Sequence, residues 1–368
     1  MIPLILLTQK NHSAPRAAVK LGLRVALSSC YYGFGLHALS PRGRVLILMY
    51  HRVLSDDELS SSFIQPGMYV SQSSFEQQVR YLRSNYTMLS LPEILTGWRN
   101  GSLDASQRYC VLTFDDGWAD TFLHAYPVLR RNQIPATVFL TTSYIGTSQW
   151  FWADRLSYLI GHVSRTRLSA PQQRELQALA GSVGGLDCRP LLDTALTLPS
   201  DHVASLDRLI EAFKQLPADV IEGFLDRFSR NTETSFPGRR AFLSWDEVSE
   251  MSHHGFTFGS HTCTHPILTH TPMRVVDQEL RDSLESLRTK PIAWIPVFCY
   301  PNGSYNETIK ACVKEAGYAA AVAVDSSAEN TQPPDLFAIR RLGIHQDITR
   351  TPALFSLHLS GLVTARRR

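Results

Sequence analysis

Tyr109-Cys110-Val111-Leu112-Thr113-Phe114-Asp115-Asp116-Gly117 is an apolar run that ends abruptly in two adjacent carboxylates and a glycine. Such a run suits a strand buried on both faces. The acids then sit at its carboxyl end, where parallel α/β proteins keep their chemistry. Similar strand-like runs recur at 45–51, 136–141, 256–260, 295–299, 318–324 and 336–342, with helical stretches between most of them. This alternation predicts an α/β fold built on a parallel sheet or barrel. Ser73 with Glu76, Ser244 with Glu247 and Ser304 with Glu307 have capping-box spacing and predict helix starts. Between 150 and 241 the alternation stops, and helical patterns at 152–161, 172–181, 203–216 and 218–230 predict a helical insertion that rises from the barrel rim or flanks it.

A second stretch, Ser260-His261-Thr262-Cys263-Thr264-His265, follows another strand-like run. Histidines at i and i+4 can turn two imidazoles toward one ion, and one carboxylate from the first stretch completes a His2Asp set with open positions. The other carboxylate is then free to act as a base. The pair is not a zincin motif, because Thr262 stands where H-E-x-x-H needs glutamate. Taken singly, the two acids can equally cap the next helix, and each histidine can be a satisfied structural residue. His253, His254 and His270 lack the spacing and are expected to be exposed or to play supporting roles.

These residues together resemble the polysaccharide deacetylases with a NodB-type domain, carbohydrate esterase family 4. The family pattern T-F-D-D-G stands unaltered at 113–117, and H-[ST]-x-x-[HS] stands at 261–265. Softer matches are Leu48-Met49-Tyr50-His51-Arg52-Val53, the stretch 75–91, and Phe298-Cys299-Tyr300-Pro301-Asn302-Gly303. The resemblance implies a distorted, incomplete (β/α) barrel of the NodB type with a helical insertion. It also implies that Asp116, His261 and His265 hold a divalent metal, usually zinc, while Asp115 takes a proton from the water that attacks an N-acetyl carbonyl. The implied reaction is hydrolysis of N-acetyl groups on N-acetylhexosamine units of a glycan.

Two parts of the chain depart from that family. The third motif is usually R-x-P-Y, but here it reads Cys299-Tyr300-Pro301-Asn302, so the arginine that steadies the base is missing. Arg341, at the end of a strand-like run, is the candidate replacement, able to fork onto Asp115. The alternative is that Arg340 and Arg341 form a solvated basic edge. Tyr300, or a nearby backbone amide, is a candidate for holding the developing oxyanion, and Tyr300 and Asn302 are candidates for touching substrate. The family's last motif supplies a histidine as general acid. His345, after Gly343-Ile344, is the candidate here, with His51 on the first strand as the alternative.

The 368 residues allow a large core, and a net charge of +3 with no aromatic-basic interleaving argues against nucleic acid as a partner. Residues 1–44 carry Lys10, Arg16, Lys20, Arg24, Arg42 and Arg44 with no acidic residue, and the chain closes on Arg366-Arg367-Arg368. The expected organisation is a basic segment at 1–44, a deacetylase-like domain at 45–362 with its insertion at 150–241, and a basic tail at 363–368. Six cysteines without C-x-x-C spacing fit a reduced compartment, with Cys110, Cys299 and Cys312 as buried thiols. Residues 1–7 are apolar but too short to span a bilayer, and the basic residues follow them, unlike a cleavable signal. Residues 25–39 suggest a peripheral helix docked on the protein or on a membrane surface. A cytoplasmic or membrane-associated location is expected. The rivals to a deacetylase are a non-catalytic carbohydrate-binding homologue and a hydrolase of another C–N bond in a small amide. Acetate release would separate them.

Overall fold

The structure, a computed structural model, describes residues 14–36, 41–61, 64, 66–166, 168–197, 202–238, 240–325, 329–330 and 335–362. The apolar residues 1–7, part of the 330–335 turn and the terminal arginines lie outside the described residues.

The 109–114 run is buried throughout and forms the second of seven parallel strands. These are β1 (Arg44–Tyr50), β2 (Arg108–Phe114), β3 (Ala136–Leu140), β4 (Phe256–Ser260), β5 (Trp294–Cys299), β6 (Ala320–Asp325) and β7 (Ile339–Gly343). Each pairs with the next in chain order, and β7 pairs with β1 through Leu48 and Leu342. The sheet therefore closes with one strand fewer than the usual eight. It is also irregular, since the β4–β5 register shifts between Phe258 and Ser260. Gly259 lies at that point, and a Cβ on it would stand 2.6 Å from the Phe139 ring and 2.7 Å from the Val297 carbonyl oxygen. Only glycine lets three strands approach so closely.

Helices cover the barrel outside and plug one end. The chain enters through α1 (Ala14–Gly33) and, after β1, forms α2 (Gln72–Asn85) and α3 (Leu91–Asn100). Leu91, Ile94 and Trp98 of α3 join Val45, Val111, Val297, Val322 and Ile339 in one buried cluster, closing the amino end of the barrel. Between β3 and β4 come α4 (Trp152–Arg165), α5 (Ala170–Ala180), α6 (Arg189–Thr197), α7 (His202–Phe213) and α8 (Ala218–Asn231), followed by α9 (Trp245–Ser252). Helices α4 to α8 share an apolar cluster separate from the barrel's, centred on Leu156, Leu159, Ile160, Phe213, Phe224 and Phe228. Further on, α10 (Met273–Arg288) and α11 (Glu307–Glu315) pack on Phe298, Tyr300 and Ala321, and α12 (Pro352–Leu359) ends the described domain.

Of the three expected capping boxes, Ser244 with Glu247 forms as such. At α2 the cap is Ser71, two residues earlier, whose hydroxyl accepts from the Ser74 amide. At α11 the cap is Asn306, because its side chain reaches the Ile309 amide while Ser304 ends the preceding tight turn.

Candidate functional site

Both motifs leave their strands through left-handed backbone. Asp116 has φ 75°, Gly117 φ 82°, Thr262 φ 67° and His265 φ 63°. Side chains disfavour this region, so three such residues in two short loops mark strain held by the surrounding fold. At Gly117 a Cβ would lie 2.9 Å from Leu140 Cδ2, so neither conformation nor space admits another residue. The histidine loop is fixed from below by Glu279 of α10, which accepts from the amides of Cys263 and Thr264 at 2.7 and 2.9 Å and from the Thr264 hydroxyl. His265 is held by its amide donating to Thr262 Oγ1 and by its ring stacking on Phe151, with centroids 4.7 Å apart.

This backbone gathers Asp116, His261 and His265 with one ligand atom each, all within 4.8 Å of one another. Asp116 Oδ2 accepts from Trp118 Nε1 at 2.8 Å. Its Oδ1 is buried without a hydrogen-bond partner, 3.3 Å from His261 Nε2 and 3.5 Å from His265 Nε2. A carboxylate oxygen facing two imidazole nitrogens is satisfied either by a proton on one of those nitrogens or by a cation between them. His261 Nδ1 lies 2.8 Å from the Cys299 carbonyl oxygen, so it donates there and leaves Nε2 for the cradle. Without a cation, a proton serves. Burial opposes charge on His261, but Cys299, Asp116 and Asp115 more than offset it and push its pKa up. Burial and the His261 charge pull His265 down to about 4. For Asp116, burial is outweighed by the two histidines and its pKa falls well below the usual carboxylate range. A deprotonated carboxylate, one imidazole already neutral and an orphaned oxygen fit a divalent metal, whose binding would displace the remaining proton.

Asp115 is treated differently. Arg341 of β7 is fully buried and forks onto it, Nη1 to Oδ1 at 2.6 Å and Nη2 to Oδ2 at 2.7 Å. The same guanidinium donates to Thr113 Oγ1 at 3.0 Å and Cys299 Sγ at 3.1 Å. Arginine thus reaches the base from another strand, across the place where the third motif has Cys299. Burial raises the Asp115 pKa, yet the Arg341 charge and hydrogen bonds outweigh it and hold the group below the usual range. A second trio, Asp115, His261 and Cys299, is also close enough for a metal. It is the poorer cradle, because Arg341 already occupies both Asp115 oxygens and burial keeps the Cys299 thiol pKa up.

The other sequence candidates stand apart. Tyr300 is a core residue: its hydroxyl donates to the Phe337 carbonyl oxygen at 2.9 Å and its amide to Val322, so neither donor is free for an oxyanion. The expectation for Tyr300 is corrected on that ground. Asn302 is exposed, with its side-chain oxygen accepting from Lys214 Nζ at 2.8 Å, which ties the insertion to the barrel rim. His345 is engaged with Asp347. His51, following β1, exerts its charge on Asp115, Asp116 and His265, whereas His345 acts on none of them.

Several neighbours carry no motif. Arg52 Nε pairs with Asp120 at 2.7 Å, and its guanidinium lies 4.3 Å over the Trp118 ring that holds Asp116. Asp154, from the first turn of α4, comes within 3.9 Å of Arg52 Nη1. Burial, reinforced by Asp116 and Asp120 and partly countered by Arg52, pushes the Asp154 carboxyl up to about 7. In sequence, the only signal for Trp118 was its place beside Gly117, and Asp154 had none.

The fold and site together define an α/β protein of the closed parallel-barrel class, with an Asp-His-His cradle at the strand ends that could hold a cation. Comparison with known proteins narrows it. The polysaccharide deacetylase family profile matches residues 102–177 and 220–321, and the chain belongs to that family. The poly-β-1,6-N-acetyl-D-glucosamine N-deacetylase of Staphylococcus aureus is 34% identical over 120 residues, 30% of this chain and 41% of that protein. The chain thus spans less than half the length of that relative. Among solved structures, the deacetylase PplD of Streptococcus pyogenes, in complex with acetate, superposes with TM-score 0.52 at 19% identity over 86% of this chain and 98% of that one. A polysaccharide deacetylase from Bacillus cereus gives TM-score 0.51 at 18% identity over 87% of this chain and 69% of that one. At such identities these two show the shared fold.

Proposed function

We propose that the protein is a metal-dependent N-deacetylase that hydrolyses N-acetyl groups of a glycan built from N-acetylhexosamine, with N-acetylglucosamine polymers as the substrate class. One observation carries the reading: an ionised, buried Asp115 stands beside a three-ligand cradle with an orphaned Asp116 oxygen. The substrate class is supported by the Staphylococcus aureus relative, a poly-β-1,6-N-acetyl-D-glucosamine N-deacetylase.

Asp116, His261 and His265 would hold the metal, and zinc suits two imidazoles and one carboxylate with positions left open. When bound, it supplies a Lewis acid for the acetyl carbonyl and brings the pKa of a coordinated water to about 7. Asp115 would take the proton of the attacking water. Arg341 keeps it ionised and fixes both oxygens, so the carboxylate cannot rotate out of line. His51, whose charge acts on Asp115, Asp116 and His265, is assigned the return of a proton to the leaving amine. Trp118 and Phe151 hold Asp116 and His265, one by a hydrogen bond and the other by ring stacking.

The test is acetate release from β-1,6-linked N-acetylglucosamine oligomers and from chitin oligomers, using zinc-loaded protein. Acetate release that disappears in Asp115→Asn supports the reading. Its absence from both substrates with a fully loaded cradle would overturn it.

A further inference from the structure

Helix α1 packs through Tyr31 and Ser28, which are buried, and through the Arg24 guanidinium, whose Nε and Nη2 lack hydrogen-bond partners and which lies under the charge of Asp347. Its outer face is apolar, with Leu23 70% exposed and Leu27 50%, and Phe34, in the turn just after it, is 80% exposed. Leu23, Leu27 and Cys30 fall at i, i+4 and i+7, a single stripe on the helix that Phe34 follows. A helix docked only for folding turns that stripe to the core. Of the thirteen exposed large hydrophobic residues among the described residues, six lie between 23 and 36. That is a patch, whereas the other seven are dispersed.

The helix is nonetheless part of the domain. It packs on α12, and residues 354–359 of α12 are all buried, although that helix is apolar on every side. The patch is therefore held rigidly at one place on the protein.

Charge selects what covers it. Residues 1–44 carry six basic residues and no acidic one, and three arginines follow α12 in the sequence. A second copy of this chain would bring like charge against like. No helix among the described residues is long and apolar enough to cross a membrane. We propose that α1 and the turn after it dock the protein on an anionic lipid bilayer, with Leu23, Leu27 and Phe34 entering the interface and the net positive charge of the N-terminal segment drawing it to the headgroups. This goes beyond the catalytic reading and does not depend on it.

The test uses the full chain and sedimentation with vesicles of phosphatidylcholine, with or without phosphatidylglycerol. Binding is expected to the anionic vesicles, to weaken as salt rises, and to be weak on neutral ones. The triple variant Leu23→Glu/Leu27→Glu/Phe34→Glu is expected to lose about ten-fold or more in bound fraction. Its melting temperature should hold, because those side chains are exposed. Equal sedimentation of variant and wild type would overturn the proposal. So would light scattering that finds a wild-type dimer which the triple variant converts to monomer, since the patch would then belong to self-association.

Discussion

Asp115 and Asp116 are neighbours in the chain and opposites in environment. Around Asp115 the protein supplies its own counter-charge, with Arg341 forked onto both oxygens and the Cys299 thiol donating to Oδ2. Around Asp116 it stops one positive charge short, leaving Oδ1 against two imidazoles. The difference is that one strand end makes two kinds of carboxylate: one already paired with a guanidinium, the other with an oxygen left unpartnered against two imidazoles, which is what the proposed roles of base and ligand rest on.

The largest expected effects come from the unfinished side. His261→Ala and Asp116→Asn should each weaken metal binding by at least about 10²-fold, since three ligands become two. Elemental analysis after dialysis reads this directly. Full retention of metal in either variant would break the comparison, because the Asp116 side would then not be the cation site.

Asp115→Asn should do the reverse, keeping the metal while turnover falls roughly 10²- to 10⁴-fold, the range for a positioned general base. Asparagine cannot take the proton. If excess metal restored its activity, the two carboxylates would have exchanged roles.

Next in size is the stability of the finished side. Arg341→Ala leaves Asp115 buried without its counter-charge and should cost about 3–5 kcal/mol of folding stability by denaturant titration. Asp115→Asn/Arg341→Met, which removes both charges, should recover part of that loss. A larger loss in the double variant than in Arg341→Ala would show that the arginine acts through packing against Phe139 and not through the pair.

How far the sequence went follows the same division. The cradle was legible because its residues sit in two contiguous motifs at fixed spacing, which is local information. The arginine partner was legible only as a choice between Arg341 at the base and a solvated edge, because strand register and barrel closure decide which way β7 points. Tyr300 was misread for the converse reason: it follows a strand end as site residues do, but Phe337 is brought to it from a distant segment and claims its hydroxyl. Glu279 and Asp154 were invisible, since α10 and α4 place them by tertiary packing alone. Strand periodicity gave seven runs and a parallel sheet or barrel, and the family resemblance narrowed that to a barrel. That β7 closes onto β1 was not readable.

The smallest effect joins the two sides. Asp154 is 22% exposed and has its carboxyl pKa pushed up to about 7 by burial first and by Asp116 and Asp120 second. Its unfolded value is about 3.9. A carboxyl with a raised folded pKa binds more protons folded than unfolded, so the stability it contributes is fully present below about pH 4 and is lost as pH rises through about 7. Asparagine mimics the neutral form at every pH. Asp154→Asn should therefore match wild type at acid pH and be more stable by roughly 1–2 kcal/mol near pH 8, after discounting for partial exposure. Metal links this to Asp116: a dication in the cradle cancels the negative charge that helps raise Asp154, so metal-loaded protein should show a smaller gain from the substitution. Melting curves across pH, with and without zinc, measure both. An Asp154→Asn gain that is the same in loaded and metal-free protein would mean that Asp154 does not sense the Asp116 charge, and the shortfall would be confined to the three ligands.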